Sequence, residues 1–153
     1  MSVIKTISDS GLRQFWSKRT ASSIDISRFE ETYLFKLPND YKSFLSNLGC
    51  GSIGSTEIFG LGCPDTGIPS IVYVLKNIES QNMMLPKGFL PISIGNDGYY
   101  ICLVTEEFKT YKIDNVVACK PGSSVEEASE TCVLVASTFE NFLLLDIQRQ
   151  SMK

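Results

Sequence analysis

The chain has 153 residues, of which 43% are hydrophobic and 20% charged, the size and balance of one globular domain, and residues 1–153 read as a single domain. A net charge of −3 opposes the clustered Lys and Arg that nonspecific nucleic-acid binding requires, so no direct nucleic-acid partner is expected and a basic protein partner is compatible. Histidine is absent, which removes Ser-His-Asp and Cys-His nucleophile systems, HExxH zinc sites and imidazole pH switches together.

Along the chain, Leu12, Phe15 and Trp16 recur at helical spacing and predict an amphipathic helix over residues 10–19. Ser22 and Ser23 are placed to cap a second helix, in which Ile26, Phe29, Tyr33 and Leu34 supply the apolar stripe. Pro38 disfavours helical geometry at Leu37 but suits a helix start, so Leu37-Pro38 is expected at the corner between two helices. Tyr41, Phe44, Leu45 and Leu48 then form an i, i+3, i+4, i+7 face, with Gly49 supplying a left-handed residue at its end.

Gly49-Cys50-Gly51-Ser52-Ile53-Gly54 spells GxGxxG. The dinucleotide fingerprint needs a strand before it and a helix after it. Here a helix precedes and strand-like Thr56-Glu57-Ile58-Phe59 follows, so the segment reads as a turn and no cofactor is expected. Ile71, Val74, Leu75 and Ile78 mark a helix begun by Pro69 and Ser70. Residues 90–94 and 99–105 are β-rich runs joined by Gly95-Asn96-Asp97-Gly98, whose residues accept positive φ and predict a hairpin. Further strands are expected over residues 109–113 and Val116–Cys119, then a surface loop over residues 120–130. Ser137 with Glu140 reads as a capping box for a last helix that buries Phe139, Phe142 and Leu143.

The five cysteines, at 50, 63, 102, 119 and 132, are odd in number and lack a CxxC pair, so no disulfide framework or zinc site is indicated and reduced, buried thiols are expected. A catalytic thiol needs a cation or a helix N-terminus beside it, and the sequence around Cys50 and Cys63 offers neither. Glu106 and Glu107 are adjacent, and adjacent strand residues point to opposite faces, which argues against a carboxylate pair for acid/base work. Lys109, Lys112 and Lys120 interleave with Phe108 and Tyr111 as a base-stacking face would, but Glu106, Glu107 and Asp114 offset their charge. No run approaches the roughly 18 apolar residues that span a bilayer, and no charged start with an apolar stretch precedes Leu12. A cytoplasmic, non-enzymatic chain with no membrane contact is the expectation.

One arrangement resembles a known family. Phe29-Glu30, Leu37-Pro38, Asp40-Tyr41, Phe44-Leu45 and Gly49 follow in order, then Leu-Pro-Ile with a polar Gly turn and a hydrophobic strand across residues 90–104. Ser137-Thr138-Phe139-Glu140-Asn141-Phe142-Leu143 closes the pattern. In this order the blocks resemble the SUKH superfamily. The resemblance implies an α+β domain, mainly antiparallel sheet flanked by helices. It also implies binding in place of catalysis, either as an immunity protein that neutralises a cognate toxin domain, often a nuclease, or as an intracellular regulatory or scaffolding adaptor of cell-wall or stress pathways. A monomer or weak homodimer is expected. The acidic and aromatic groups placed at loops and sheet edges, Glu57, Asp65, Asp97, Tyr99, Tyr100, Glu106, Glu107 and Asp114, are the candidate partner-binding residues. Acids facing a basic toxin raise the association rate, and buried aromatics supply affinity. The competing expectation is that Tyr99 or Tyr100 packs inward and the acids only solubilise the surface.

Overall fold

In the computed structural model, which describes residues 2–62 and 67–152, the first helix lies earlier than expected. Ser2–Ser8 form α1, and Gln14–Trp16 form strand β1 where a helix over residues 10–19 was predicted. Gly11 takes a φ of +72°, which ends helical geometry inside that window. The Gln14 amide donates to the Ile7 carbonyl at 2.8 Å and accepts from the Trp16 indole N–H at 2.9 Å. Trp16 then packs edge-on against Phe44 while Phe15 faces outward, the alternation of a strand.

Helix α2, Ser23–Tyr33, begins as expected with a reciprocal capping box: Ser22 Oγ accepts the Asp25 N–H, and the Asp25 carboxylate accepts the Ser22 N–H. Ile26 and Phe29 are buried, whereas Leu34, expected in the same stripe, takes the left-handed C-cap with φ 60° and is 88% exposed. Leu37 is buried and Pro38 caps α3, Asn39–Asn47, so the corner forms as predicted. Tyr41, Phe44 and Leu45 are fully buried. Gly49 has φ +79°, and a Cβ there would lie 2.6 Å from the Arg19 carbonyl oxygen, so both conformation and space call for glycine. Gly51–Ile53 (β2) and Thr56–Ile58 (β3) follow and pair antiparallel in the order β1-β2-β3, so the GxGxxG segment feeds a hairpin.

Ser70 caps α4, Ile71–Ser80. A second antiparallel sheet runs β4 (Phe89–Ile94), β5 (Tyr100–Val104), β6 (Val116–Cys119) and β7 (Val133–Ala136) in spatial order. The strand expected over residues 109–113 is a tight turn, in which Phe108 and Tyr111 exchange backbone hydrogen bonds and Lys109 takes φ 54°. The loop expected over residues 120–130 contains helix α5, Val125–Glu130, capped by Ser124 and anchored by buried Ala128. Helix α6, Phe139–Ser151, is capped by Thr138. Ser137 instead accepts from the Asn141 side chain at 2.6 Å, so the predicted Ser137–Glu140 box does not form.

The two sheets meet where the Phe59 N–H donates to the Ile92 carbonyl at 2.8 Å. Leu90, Ile92, Leu103, Val116 and Ala136 join the principal core with Tyr41, Phe44 and Phe139, whose rings pack within 5.4–5.8 Å of one another. The alternate residues Phe89, Cys102, Val104, Val117 and Cys119 form a smaller core with Ala128 of α5. The buried Tyr41 hydroxyl donates to the Phe59 carbonyl at 2.5 Å, and burial pushes its pKa well above the usual phenol value. The fold is α+β, with antiparallel sheets flanked by helices.

The thiols depart from the expectation in two respects: Cys50 is disulfide-bonded, and Cys132, free like the buried Cys102 and Cys119, is only half-buried; Cys63 lies outside the described residues.

Candidate partner-binding surface

A groove of about 580 Å³ opens between the tip of the β4–β5 hairpin and α6. Its chief walls are Ile94, Asp97, Tyr99, Ile101, Phe142 and Leu145. The hairpin tip is held by Gly95 N–H to the Tyr99 carbonyl (2.8 Å) and Tyr99 N–H to the Asn96 carbonyl (3.0 Å), with Asp97 and Gly98 both at positive φ. Next to the tip, Ile94 at the end of β4 is 57% exposed, and Leu145 on α6 is 50% exposed, giving the groove apolar lips. Below them the buried Ser93 hydroxyl donates to the Glu57 carbonyl at 2.5 Å and ties β4 to β3.

Helix α6 is fastened at the base of this groove. Asp146, buried, binds the Arg149 guanidinium and accepts from Gln150 Nε2 at 2.8 Å. The Gln150 amide also donates to the Ile53 carbonyl at 3.1 Å, and its oxygen accepts the Ser55 N–H at 2.9 Å, clasping the β2–β3 turn. A partner entering the groove therefore meets apolar lips on a wall whose buried polar groups are satisfied by one another.

Of the residues singled out in the sequence, Asp97 and Tyr99 line the groove, and Glu57 is exposed on β3 beside Thr56, another wall residue. Tyr100 is half-buried against both cores, and burial raises its pKa, opposed by a hydrogen bond with the Asn77 side chain. Glu106 and Glu107 are exposed just beyond β5, with Glu106 3.7 Å from the Lys87 ammonium. Asp65 lies outside the described residues. Asp114, at φ 81°, belongs to a separate acidic group: burial, then the Glu140 and Asp114 carboxylates, raise the pKa of Asp40. Asp40 and Glu140 stand in the first turns of α3 and α6, two helices that pack together. Sequence reasoning missed both acids, as it missed Ile94 and Leu145, because only the packing of α6 brings these residues to the surface together.

A second cavity of about 400 Å³ lies beside α2, walled by Arg19, Arg28, Phe29, Tyr33, Leu61 and Val72. Asp25 at its rim has a lowered pKa, chiefly because the Ser22 backbone and side chain bond its carboxylate, with smaller help from Arg19 and Arg28. Of the basic and aromatic residues near position 109, Phe108, Lys109 and Tyr111 make side-chain contacts within the chain, while Lys109, Lys112 and Lys120 are exposed. Phe108 and Tyr111 pack edge-on against Phe89, and Lys109 lies 5.5 Å from the Phe108 ring centre and 2.9 Å from the Ser129 hydroxyl. Among the described residues no group of three or more acidic or cysteine side chains is arranged to hold a metal ion, and no helix is long and apolar enough to cross a membrane.

No curated protein matches the chain. The SUKH_5 family model, described as SMI1-KNR4 cell-wall, matches residues 1–144, which include the Leu37-Pro38 corner, the β4–β5 hairpin and the start of α6. Members of this superfamily are generally interaction domains and not enzymes. With nearly its whole length matched and the α+β architecture described above, the chain belongs to the SUKH_5 family of the SUKH superfamily.

Proposed function

We propose that this protein is an immunity protein that binds a cognate bacterial toxin domain, a nuclease in the first instance, and neutralises it by stoichiometric association. The observation that carries the reading is the groove of about 580 Å³ with exposed Ile94 and Leu145 at its lips and Asp97 at its tip. Apolar anchors at the centre with charge at the rim is the anatomy of a specific protein interface. The acidic group of Asp40, Asp114 and Glu140 adds a field that attracts a basic, nucleic-acid-cleaving partner. Inhibition then needs no turnover, only coverage of the toxin's active or substrate site.

The test is co-expression with the variable C-terminal domain of a secreted protein encoded beside this gene, followed by calorimetry of the purified pair. Rescue of growth with 1:1 binding is the expected result. Failure of both with every neighbouring toxin domain overturns the reading.

A second reading has its own support in the family description, cell-wall: an intracellular regulatory or scaffolding adaptor that uses the same groove. It predicts co-purification with envelope-assembly or signalling proteins and growth defects on deletion in the absence of any toxin.

A further inference from the structure

Cys119 ends β6 and Cys132 stands one residue before β7. The β6–β7 ladder pairs Val117 with Leu134 and Ala118 with Val133, so the next rung sets Cys119 opposite Cys132. The two sulfurs lie 3.2 Å apart, and cross-strand neighbours fall within the Cα separation that a disulfide spans. Cys119 is fully buried under α5, with its sulfur 3.4 Å from the Ala128 carbonyl oxygen, whereas Cys132 is only half-buried. The hydrogen bond to Cys119, then burial and the neighbouring Cys119 and Cys102 sulfurs, push the Cys132 thiol well up, with only the Lys109 ammonium opposing, and the Tyr111 hydroxyl donates to the Cys132 carbonyl at 3.2 Å. Cys102 is fully buried one strand further in.

We infer that Cys119 and Cys132 form a two-electron redox site, in which a peroxide oxidises Cys132 and Cys119 resolves the product to a cross-strand disulfide. In the first step the Cys132 sulfur attacks one peroxide oxygen and the O–O bond breaks. The sulfur becomes a sulfenic acid, and the thiol proton leaves with the other oxygen as water. In the second the Cys119 sulfur attacks the Cys132 sulfur, the S–O bond breaks, and the hydroxyl departs with the Cys119 proton as a second water. Two thiols are oxidised and one peroxide is reduced. The hydrogen bond that the Cys132 thiol donates to the Cys119 sulfur holds the Cys119 pKa down and pushes that of Cys132 up, so the first proton lost is that of Cys119, whose sulfur then stands ready to take the Cys132 proton as Cys132 reacts. Cys132 is the accessible member of the pair. The site does not depend on which partner the groove binds.

Treatment of the reduced, folded protein with hydrogen peroxide, followed by alkylation of remaining thiols and peptide mapping, tests this directly. The expected result is loss of the Cys119 and Cys132 thiols as one linked peptide pair that a dithiol reductant reverses, with Cys102 alkylated only on unfolding. A sulfenic-acid probe should label Cys132 in Cys119→Ser and leave Cys119 unlabelled in Cys132→Ser. If wild-type Cys119 and Cys132 remain thiols while the peroxide oxidises other residues, or if the linked pair contains Cys102, the inference is wrong, whatever the stability of the variants.

Discussion

The Glu30 carboxylate accepts the backbone N–H of Leu37 at 2.7 Å, so the side chain near the end of α2 satisfies the amide at the corner before α3. Glu30 also lies 3.6 Å from the Lys42 ammonium on α3. The Phe-Glu and Leu-Pro elements are thus two ends of one hydrogen bond: Phe29 anchors α2 in the core, Glu30 holds the turning chain, and Pro38 starts the next helix.

Glu30→Ala leaves the partly buried Leu37 amide unpaired and is expected to cost about 1–3 kcal/mol. Glu30→Gln keeps an acceptor and should cost less. Lys42→Ala removes only a partly exposed ion pair, for which at most ~1 kcal/mol is expected. Urea midpoints at constant slope measure all three, and equal losses for Glu30→Ala and Lys42→Ala would mean that the ion pair, not the amide, is what matters.

At the end of the same helix, Phe29→Ala should cost ~3–5 kcal/mol as a buried aromatic. Leu34 is expected to behave oppositely despite sharing the stripe in sequence. Its φ of 60° is strained for a branched side chain that is exposed and buries little, so Leu34→Gly is predicted to stabilise by about 0.5–1 kcal/mol. Thermal unfolding of the two variants against the parent decides this.

Gly54 and Gln150 meet across the β2–β3 turn. Gly54 has φ +58°, and a Cβ there would fall 1.9 Å from the Gln150 side-chain oxygen. Gly54→Ala therefore combines backbone strain with a clash, and Gln150→Ala loses the clasp on Ile53 and Ser55. In the double variant the clash disappears. The double-mutant cycle should show a combined cost at least about 0.5 kcal/mol below the sum of the singles. Simple additivity would mean that the turn moves away from α6.

Much of this was legible in sequence because the signal was local. The Ser22 cap, the Leu37-Pro38 corner and the positive-φ turn at Asp97 and Gly98 each depend on residues within one turn of one another. Errors arose where the partner was distant or the signal short. Leu12, Phe15 and Trp16 match a helix as well as a strand, and Gly11 with the distant strand β2 decides between them. Residues 120–130 look loop-like because α5 spans only Val125–Glu130 and a single alanine anchors it. In the candidate surface, Asp97 and Tyr99 were visible as hairpin residues. Leu145 was not, since an exposed leucine on a helix resembles a core leucine until the helix is packed.

The acidic group gives a pH prediction. Burial first, then Glu140 and Asp114, raise the Asp40 pKa, so the folded state binds its proton more tightly than the unfolded chain. Its contribution is therefore favourable at low pH and is lost as pH rises through its raised pKa. Asp40→Asn removes that loss, so the variant should be more stable than the parent at neutral pH, with the gap closing in acid. A gap that widens in acid would show that Asp40 is held by favourable contacts and not by repulsion. Relief on adding salt at neutral pH, larger for the parent than for the variant, provides a second check on the same repulsion.

The groove yields the last prediction, which separates anchors from rim. Ile94 and Leu145 are exposed, so Ile94→Asp and Leu145→Arg should change stability by no more than ~0.5 kcal/mol. If they are the anchors of a partner, each should weaken binding by at least about 2 kcal/mol, mainly through faster dissociation. Asp97→Lys at the hairpin tip should act on association instead, slowing it at low salt and losing that effect as salt rises. Full binding retained by both groove variants moves the interface elsewhere. The acidic face of Asp40, Asp114 and Glu140 is then the next surface to reverse in charge, since it lies on different residues and its loss would leave the groove intact.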